Sequence, residues 1–374
     1  MANTLLTPSI IAKEALVVLE NNLVLGSKVH QDYADEFTKV GDTITIRKPA
    51  TFVSHPWDGS TLTVQDIKEK SVSVQLLDSD ILDITFKLGT REKLLDLENF
   101  SKQVIQPVMR AHAQKIDELI ASLYTYIPYY GLVSSTPAVG DILALDKILN
   151  QNKCPVDEQR YGVLSPATKA KYLALDAFLH AEKRGDTDAL RRASMGEVFG
   201  ADWYMDQNIR THTKGTITTS DYYASAISGD VLKLEALTTA KTVKKGDIIT
   251  CTQGAVAVDF VILEDADIGT TAWATVSHYP AVTADVSEGT TTIGAVVVTD
   301  KANNLLFHKN AFALVIRPLE KPFGAGYAEV VNYQGLSARI AGQYALGTKA
   351  DQISIDILMG VKCLTPELAV RLIG

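Results

Sequence analysis

Residues 98–127, ENFSKQVIQPVMRAHAQKIDELIASLYTYI, carry the strongest helical periodicity in the chain. Apolar side chains recur there at steps of three and four residues: Phe100, Val104, Val108, Ile116, Leu119, Ile120, Leu123 and Ile127. The spacing predicts one long amphipathic helix that ends before Pro128. Pro107 lies inside it and removes a backbone hydrogen bond, so we expect a kink or a restart there. The charged residues of the helix are interpreted as its solvated face: Arg110, Lys115, Asp117 and Glu118.

Residues 1–48, which precede this region, form elements with little core of their own. Thr7 and Pro8 are typical of a helix start, and the helical pattern continues to about Asn22. Gly41-Asp42 is typical of a turn, and the alternation that follows it in 43–46 predicts a strand. A short helix and one strand bury little surface, so we interpret 1–48 as an arm that packs on another element.

A long hairpin is predicted from about residue 52 to residue 86. The stretch HPWDGS at 55–60 supplies turn residues, and SVSVQL at 71–76 alternates with a period of two. A hairpin of two strands is marginally stable by itself in water, so this one must lie against a neighbour. The candidate residues for a contact between subunits are Trp57, Leu62 and Asp66.

The composition changes after Thr211. Between Lys214 and Asp300 the chain has five Lys, no Arg and eleven Asp or Glu, which gives 5 − 11 = −6 of the total net charge of −8. Short apolar runs separated by Thr and Gly predict many short strands there. Residues 129–210 and the stretch from 305 onwards have mixed helix and strand signals instead. We therefore predict an all-β domain at 211–304, inserted into an α+β host.

Composition and motifs exclude several classes of function. Of the 374 residues 46% are hydrophobic, enough for a buried core, and the net charge of −8 disfavours a dedicated nucleic-acid binder. No apolar run approaches the roughly 20 residues of a membrane span. Metal-binding, phosphate-loop and nucleophile motifs are missing, and the seven histidines are scattered singly. We predict no catalytic residue, no cofactor and no metal ligand.

Several stretches resemble the P-twenty-two-type coat protein family of tailed bacteriophages. No one of them is a chemical motif, and the specificity of the resemblance comes from their number and order. They are Ala2–Pro8, Gly41–Pro49, Phe199–Asn208, Thr211–Thr213, Ala311–Val315, Gly335–Arg339 and Gly360–Ala369.

The resemblance implies the Hong-Kong-ninety-seven-type capsid fold, which is α+β. Carried onto this sequence, it makes 1–48 the N-terminal arm and 49–87 the extended E-loop hairpin. Residues 88–210 become the peripheral domain with its spine helix and the first part of the axial domain. The inserted β domain is then 211–304, and 305–374 complete the axial and peripheral domains.

The function implied is that of a major capsid protein, which forms pentamers and hexamers of an icosahedral shell in the virion. The resemblance further implies assembly in the bacterial host cytoplasm, a separate scaffolding protein and a portal. The shell would enclose double-stranded DNA without sequence-specific binding and without a membrane. One alternative is an encapsulin-like compartment. More remote ones are an enzyme with a β accessory domain and a β-rich adhesin.

Overall fold

The computed structural model describes most of the chain, in segments separated by gaps. The described residues are 15–19, 22–31, 43–48, 54, 70–76, 80–89, 104–134, 136–180, 191–217, 222–236, 239–253, 256–270, 274–282, 293–296, 300–324, 326–333, 336–347 and 350–374. Within these segments no helix combines the length and the apolar character that a membrane span requires.

The secondary structure combines helices with many strands. The α-helices are α1 Gln106–Ala121, α2 Val139–Gln151, α3 Pro166–Leu173 and α4 Asp176–Leu179. The first strands are β1 Thr43–Lys48, β2 Lys70–Gln75, β3 Ile81–Gly89, β4 Tyr130–Leu132, β5 Arg160–Leu164, β6 Gly196–Val198 and β7 Ala201–Met205. Then come β8 Tyr222–Ala236, β9 Lys241–Val243, β10 Ile248–Gln253, β11 Val256–Ile262, β12 Ala266–Ile268, β13 Ala274–Val282 and β14 Ile293–Val296. The last are β15 Asn303–His308, β16 Phe312–Arg317, β17 Tyr327–Tyr333, β18 Leu336–Ala345, β19 Ala350–Cys363 and β20 Ala369–Ile373.

The chain divides into two compact units. Unit 1 consists of Met1–Asn21, Gln31–His112 and Leu314–Leu364. Unit 2 consists of Asn22–His30, Ala113–Ala313 and Thr365–Gly374. Each unit is therefore built from segments that are far apart in sequence.

The main sheet of unit 1 has the strand order β16-β19-β18-β17, and β3 also pairs with β19. All the pairings of β19 with β3 and β18 are antiparallel, and Ile355 lies opposite Ile84 on one side and Ile340 on the other. In the adjacent row Arg339 donates to the carboxylate of Asp356 at 2.9 and 2.5 Å. An apolar row next to an ion-paired row specifies the register, because a shift by one residue would exchange the two.

Strands β1 and β2 form a separate antiparallel ladder in unit 1. Thr43 lies opposite Gln75 and Lys48 lies opposite Lys70. The connection between the two strands therefore begins and ends at the same end of the ladder. This agrees with a hairpin, but its extent differs from the prediction. Strand β3 does not continue the hairpin to residue 86; it pairs with β19 instead. Its sequence, ILDITFKLG, alternates apolar and polar residues and so suits a sheet with one buried face.

The predicted spine helix is described from Val104 onwards, and residues 98–103 lie outside the described residues. Val104 and Ile105 are π-helical, α1 continues from Gln106, and the tighter 3-10 helix Ser122–Tyr126 follows it. Pro107 lies directly after the π-helical residues. The kink at Pro107 stays a prediction.

Unit 2 is organised around a mixed sheet with the strand order β4-β20-β15-β5-β7-β6. Strand β15 is buried along its whole length between β5 and β20. Its Phe307 packs edge-on against Phe312 at a centroid distance of 5.1 Å. Helix α2 lies against β4 and β20, and Ser165 caps α3 by accepting the backbone N–H of Thr168. The sheet and its helices form an α+β domain.

The segment from Tyr222 to Val296 forms a sheet of its own, with the order β14-β10-β11-β13-β8. Strands β9 and β12 add a small second ladder. The buried side chains beneath them make a core drawn from this segment: Ile217, Leu232, Leu234, Ala236, Val243, Ile249, Phe260, Ile262, Ile268 and Val276. We call residues 211–304 the inserted module. Its described elements are strands, as the composition predicted.

Candidate functional site

The candidate contact residues Trp57, Leu62 and Asp66 lie outside the described residues. Ser54 is described, is exposed and is not part of a strand. The role of the three candidates therefore stays a prediction. Pro107 is exposed at the start of α1.

The inserted module leaves and rejoins its host at a single place. Thr211 forms an antiparallel bridge with Ala302. The backbone N–H of His212 donates to the carbonyl of Lys301 at 3.2 Å, and that of Asn303 donates to the carbonyl of Arg210 at 3.0 Å. Because the entering and leaving strands are hydrogen-bonded to each other, the module is connected as an insertion. We call this place the neck.

A line of three buried side chains crosses the neck. The Tyr124 hydroxyl lies 2.8 Å from His212 Nδ1, and His212 Nε2 lies 2.8 Å from Asp247 Oδ1. A carboxylate can only accept, so His212 carries its proton on Nε2 and accepts at Nδ1 from the tyrosine. The tautomer is thus fixed by the two neighbours. Tyr124 follows α1 in the host, whereas His212 and Asp247 belong to the inserted module.

The second oxygen of Asp247 also organises the turn around it. Oδ2 accepts the backbone N–H of Lys244 at 2.8 Å and that of Gly215 at 3.1 Å. Gly246 has φ of +97°, a left-handed conformation that favours glycine. A Cβ on Gly215 would lie 2.2 Å from the carbonyl oxygen of Thr242, so the chain can approach Asp247 this closely only without a side chain there.

Arg371, on β20 of the host, is the other buried charged residue at the neck. Its NH1 donates to the carbonyl oxygen of Gly246 at 2.9 Å. Burial lowers the pKa of Arg371 to about 9, while the charges of Tyr124, Asp247 and Tyr130 act in the opposite direction. Among the described residues, its Nε and NH2 have no hydrogen-bond partner. Arg371 therefore holds the turn at Gly246 at a considerable desolvation cost.

Contacts on both sides of this line extend the attachment. Lys245 Nζ donates to the Tyr126 hydroxyl at 2.6 Å and lies 4.2 Å from the centre of its ring. The Tyr279 hydroxyl of the module donates to the carboxylate of Glu367. Ile248 of the module packs on Ile373 of β20. The module is thus attached to its host by buried polar contacts as well as by the two connecting strands.

The polar groups of the neck have a structural role. A tyrosine, a histidine and a carboxylate in line can move a proton, but Tyr124, His212 and Asp247 are all buried and their polar atoms are occupied by one another. No group of His, Cys, Asp and Glu in the described residues has the arrangement of a metal site. The arrangement fixes the position of the inserted module on unit 2.

Comparison with known proteins gives a family for the second part of the chain. Residues 221–374 match the family described as P22 coat protein - gene protein 5. They include most of the inserted module and the chain that follows it. This part of the chain is similar to phage coat proteins.

The fold of the chain agrees with the match. A structure from Mycobacterium phage Che8 is similar with a TM-score of 0.52 and 13% sequence identity, over 94% of this chain and 90% of that chain. The fold is therefore of the Hong-Kong-ninety-seven capsid type, and the predicted α+β class is confirmed.

Two further solved structures are similar to the chain. The mature capsid of bacteriophage PhiM1 has a TM-score of 0.45 and 10% identity, over 88% of this chain and 81% of that chain. The capsid of Ralstonia phage GP4 has a TM-score of 0.46 and 10% identity, over 90% and 84%. No curated protein matches the coat protein in sequence.

The sequence analysis missed the residues that build the neck. It treated His212 as an ordinary scattered histidine and gave Asp247 and Arg371 no role. It also placed Asp117 on a solvated face, which is wrong because the side chain is 1% exposed. A signal for Asp117 was available, since it shares a helical stripe with Ala113, Ile120 and Tyr124. The pairing of His212 with Asp247, by contrast, joins residues far apart in sequence.

The inserted module is expected to fold when residues 213–304 are expressed alone. Its core is drawn from its own strands, so the module does not need the host to bury its apolar side chains. The isolated module should show dispersed amide signals and a cooperative thermal transition. The transition should lie at a lower temperature than in the full-length chain, because the contact of Asp247 with His212 is lost. A spectrum typical of a disordered chain would mean that the strands depend on the host sheet.

Proposed function

We propose that this coat protein assembles with many copies of itself into the icosahedral head shell of a tailed, double-stranded DNA bacteriophage. The observation that carries the proposal is the match of 221–374 to the P22 coat protein family, on a chain with a phage capsid fold. Its place is the capsid of the virion. The pentamers and hexamers of such a shell, and their assembly in the host cytoplasm, are part of the proposal.

Exposed apolar side chains at loop ends support assembly. Phe323, between β16 and β17, is fully exposed, and Leu346, between β18 and β19, is 83% exposed. When a neighbouring subunit covers such side chains, the contact is stabilised by about 25 cal/mol per Å² of apolar surface buried. A shell built from many such small contacts between identical subunits does not need one large hydrophobic interface.

The partners in this proposal are a separate scaffolding protein, a portal and the packaged DNA. The net charge of −8 favours a shell that encloses DNA without binding it strongly, since affinity for the phosphate backbone comes from positively charged side chains. DNA would then be retained by the closed shell. No sequence-specific contact with DNA is proposed.

The role we propose is structural, without catalysis. The buried polar line at the neck has no position for a substrate, and it is accounted for by the attachment of the inserted module. An encapsulin-like compartment, which would load protein cargo, is the alternative within this fold. The match to coat proteins favours the phage head over that compartment and over an enzyme with a β accessory domain.

Sedimentation of the purified protein tests the proposal. The protein, alone and with the product of a neighbouring scaffold gene, should sediment as large particles or as irregular sheets and spirals. Because the subunit contacts are partly electrostatic, the fraction in particles should change with ionic strength. Monomer alone under every condition would contradict the proposal. Particles filled with one host protein in place of nucleic acid would favour the compartment.

A further inference from the structure

The segment Asn22–His30 is built into unit 2 through a buried carboxylate of α1. Asp117 Oδ2 accepts the backbone N–H of Val24 at 2.9 Å, and Asp117 Oδ1 accepts that of Gly26 at 2.9 Å. Leu25, between them, is fully buried. A single side chain on the helix therefore accepts two backbone N–H groups of the segment. We call Asn22–His30 the docked segment.

Two further contacts hold the other end of the docked segment. Lys28 Nζ lies 4.7 Å from the ring centre of Tyr204 and 5.3 Å from that of Tyr161. The backbone N–H of His30 donates to the carbonyl of Phe312 at 3.1 Å. These contacts do not involve Asp117, so the end near Val24 can loosen while the end near His30 stays in place.

Asp117 is held in an environment that disfavours its charge. Burial raises the pKa of its carboxyl to about 7, and the carboxylate of Asp206 adds to this rise, while the N–H groups of the docked segment oppose it. Asp206 is itself buried, and Asn208 donates to its Oδ1 at 2.8 Å from both the backbone and the side chain. Its Oδ2 has no partner among the described residues.

The other charged groups around this place are already engaged. Glu118, the next residue of α1, pairs with Lys115 and Arg210 near the surface. Lys28 of the docked segment lies over its two tyrosines. Neither buried carboxylate has an ion pair with a cation among the described residues, and the charge of Asp206 disfavours the ionised form of Asp117. Uptake of a proton by Asp117 removes this unfavourable interaction.

We propose that Asp117 and Asp206 form a proton-sensitive latch, which seats the docked segment firmly when Asp117 takes up a proton and loosens it when both carboxylates are charged. The proposal goes beyond the assembly of a shell, because it concerns one subunit and stands whether or not the subunits assemble. It gives the amino-terminal part of the coat protein a response to pH near neutrality.

The direction follows from linkage. In the seated form burial outweighs the N–H groups of the docked segment and holds the pKa of Asp117 at about 7. When the segment is released, Asp117 enters water and its pKa returns towards its ordinary value near 4. The seated form therefore binds the proton more tightly. Its extra stability is fully present below pH 4 and is lost as the pH rises through about 7. Between about pH 5 and 7 the equilibrium for seating should fall by up to about tenfold per pH unit, with a plateau above.

Hydrogen exchange of the unassembled full-length protein tests the latch. Protection factors for the amides of Val24 and Gly26, corrected for the intrinsic effect of pH, should fall from pH 5 to 7, while those of β15 stay constant. Asp117→Asn, which cannot ionise, should abolish this slope. Asp206→Asn keeps an oxygen for Asn208 and removes the repelling charge, so it should move the slope to lower pH.

Two controls separate the latch from other titrations. Glu118→Gln changes a carboxylate at the next position of α1 and should leave the slope unchanged. The histidine His30 is the other group of the docked segment that can change charge near neutrality. His30→Gln removes this group and should also leave the pH slope of the protection factors unchanged. Protection that is independent of pH in the wild type would overturn the proposal. So would a slope that persists in Asp117→Asn, or one that Asp206→Asn does not move.

Discussion

Asp247→Ala is expected to destabilise the protein by about 3–5 kcal/mol and to loosen the inserted module. The side chain is fully buried and accepts from His212 and from the backbone N–H groups of Gly215 and Lys244. Removing it leaves these donors buried and unpaired, and each unpaired buried donor costs about 1–3 kcal/mol. Urea unfolding of the full chain measures the effect.

Asp265→Ala is the matched control for this variant. Asp265 is also a carboxylate of the inserted module, but it is exposed and pairs with Lys244 at 2.9 Å on the surface. Surface pairs contribute about 0–1 kcal/mol, so this variant should unfold close to the wild type. Equal losses in the two variants would show that the neck is not the point at which the module is held.

Replacement of 54–66 by a short Gly-Ser linker is expected to abolish closed shells while leaving the subunit folded. The ladder of β1 and β2 closes at Lys48 and Lys70, so the replaced residues lie beyond its last paired position. Removing them takes away Trp57, the large apolar side chain that we predict to contact an adjacent subunit. The six paired positions of the ladder remain.

Thermal unfolding and electron microscopy of the same variant distinguish the possibilities. The melting temperature should stay within a few degrees of the wild type, whereas the images should lack closed shells. A variant that assembles normally would refute the contact between subunits. A variant that unfolds would place the hairpin in the core of its own subunit. Trp57→Ala alone should weaken assembly less than the full replacement does.

Local patterns explain which parts of the fold could be predicted from the sequence. The helical stripe of 98–127, the alternation in 71–76 and the acidic, strand-rich composition of 211–304 are each properties of neighbouring residues. Each of them corresponds to α1, β2 or the inserted module, at least in part. The carboxyl-terminal end of the helix was less accurate, because the periodicity does not distinguish an α-helix from the 3-10 helix that follows Ala121.

Contacts between distant residues explain the failures. The strand β3 was assigned to the hairpin because β19, its partner, lies more than two hundred residues away in the sequence. Asp117 resembled a surface residue because its partners, the backbone N–H groups of Val24 and Gly26, are far from it in sequence. The residues next to Asp117 in the sequence give no sign of these hydrogen bonds. The neck was missed for the same reason. Its residues come from three distant parts of the chain, and none of them forms a motif alone.

Negative-stain electron microscopy of the purified protein, alone and with the scaffolding protein that we propose as its partner, tests the central claim most directly. We expect closed particles of uniform diameter, in which averaging shows five-fold vertices and six-fold faces built from this one chain. A field of dispersed single subunits, with no shells, sheets or spirals at any salt concentration, would contradict the account.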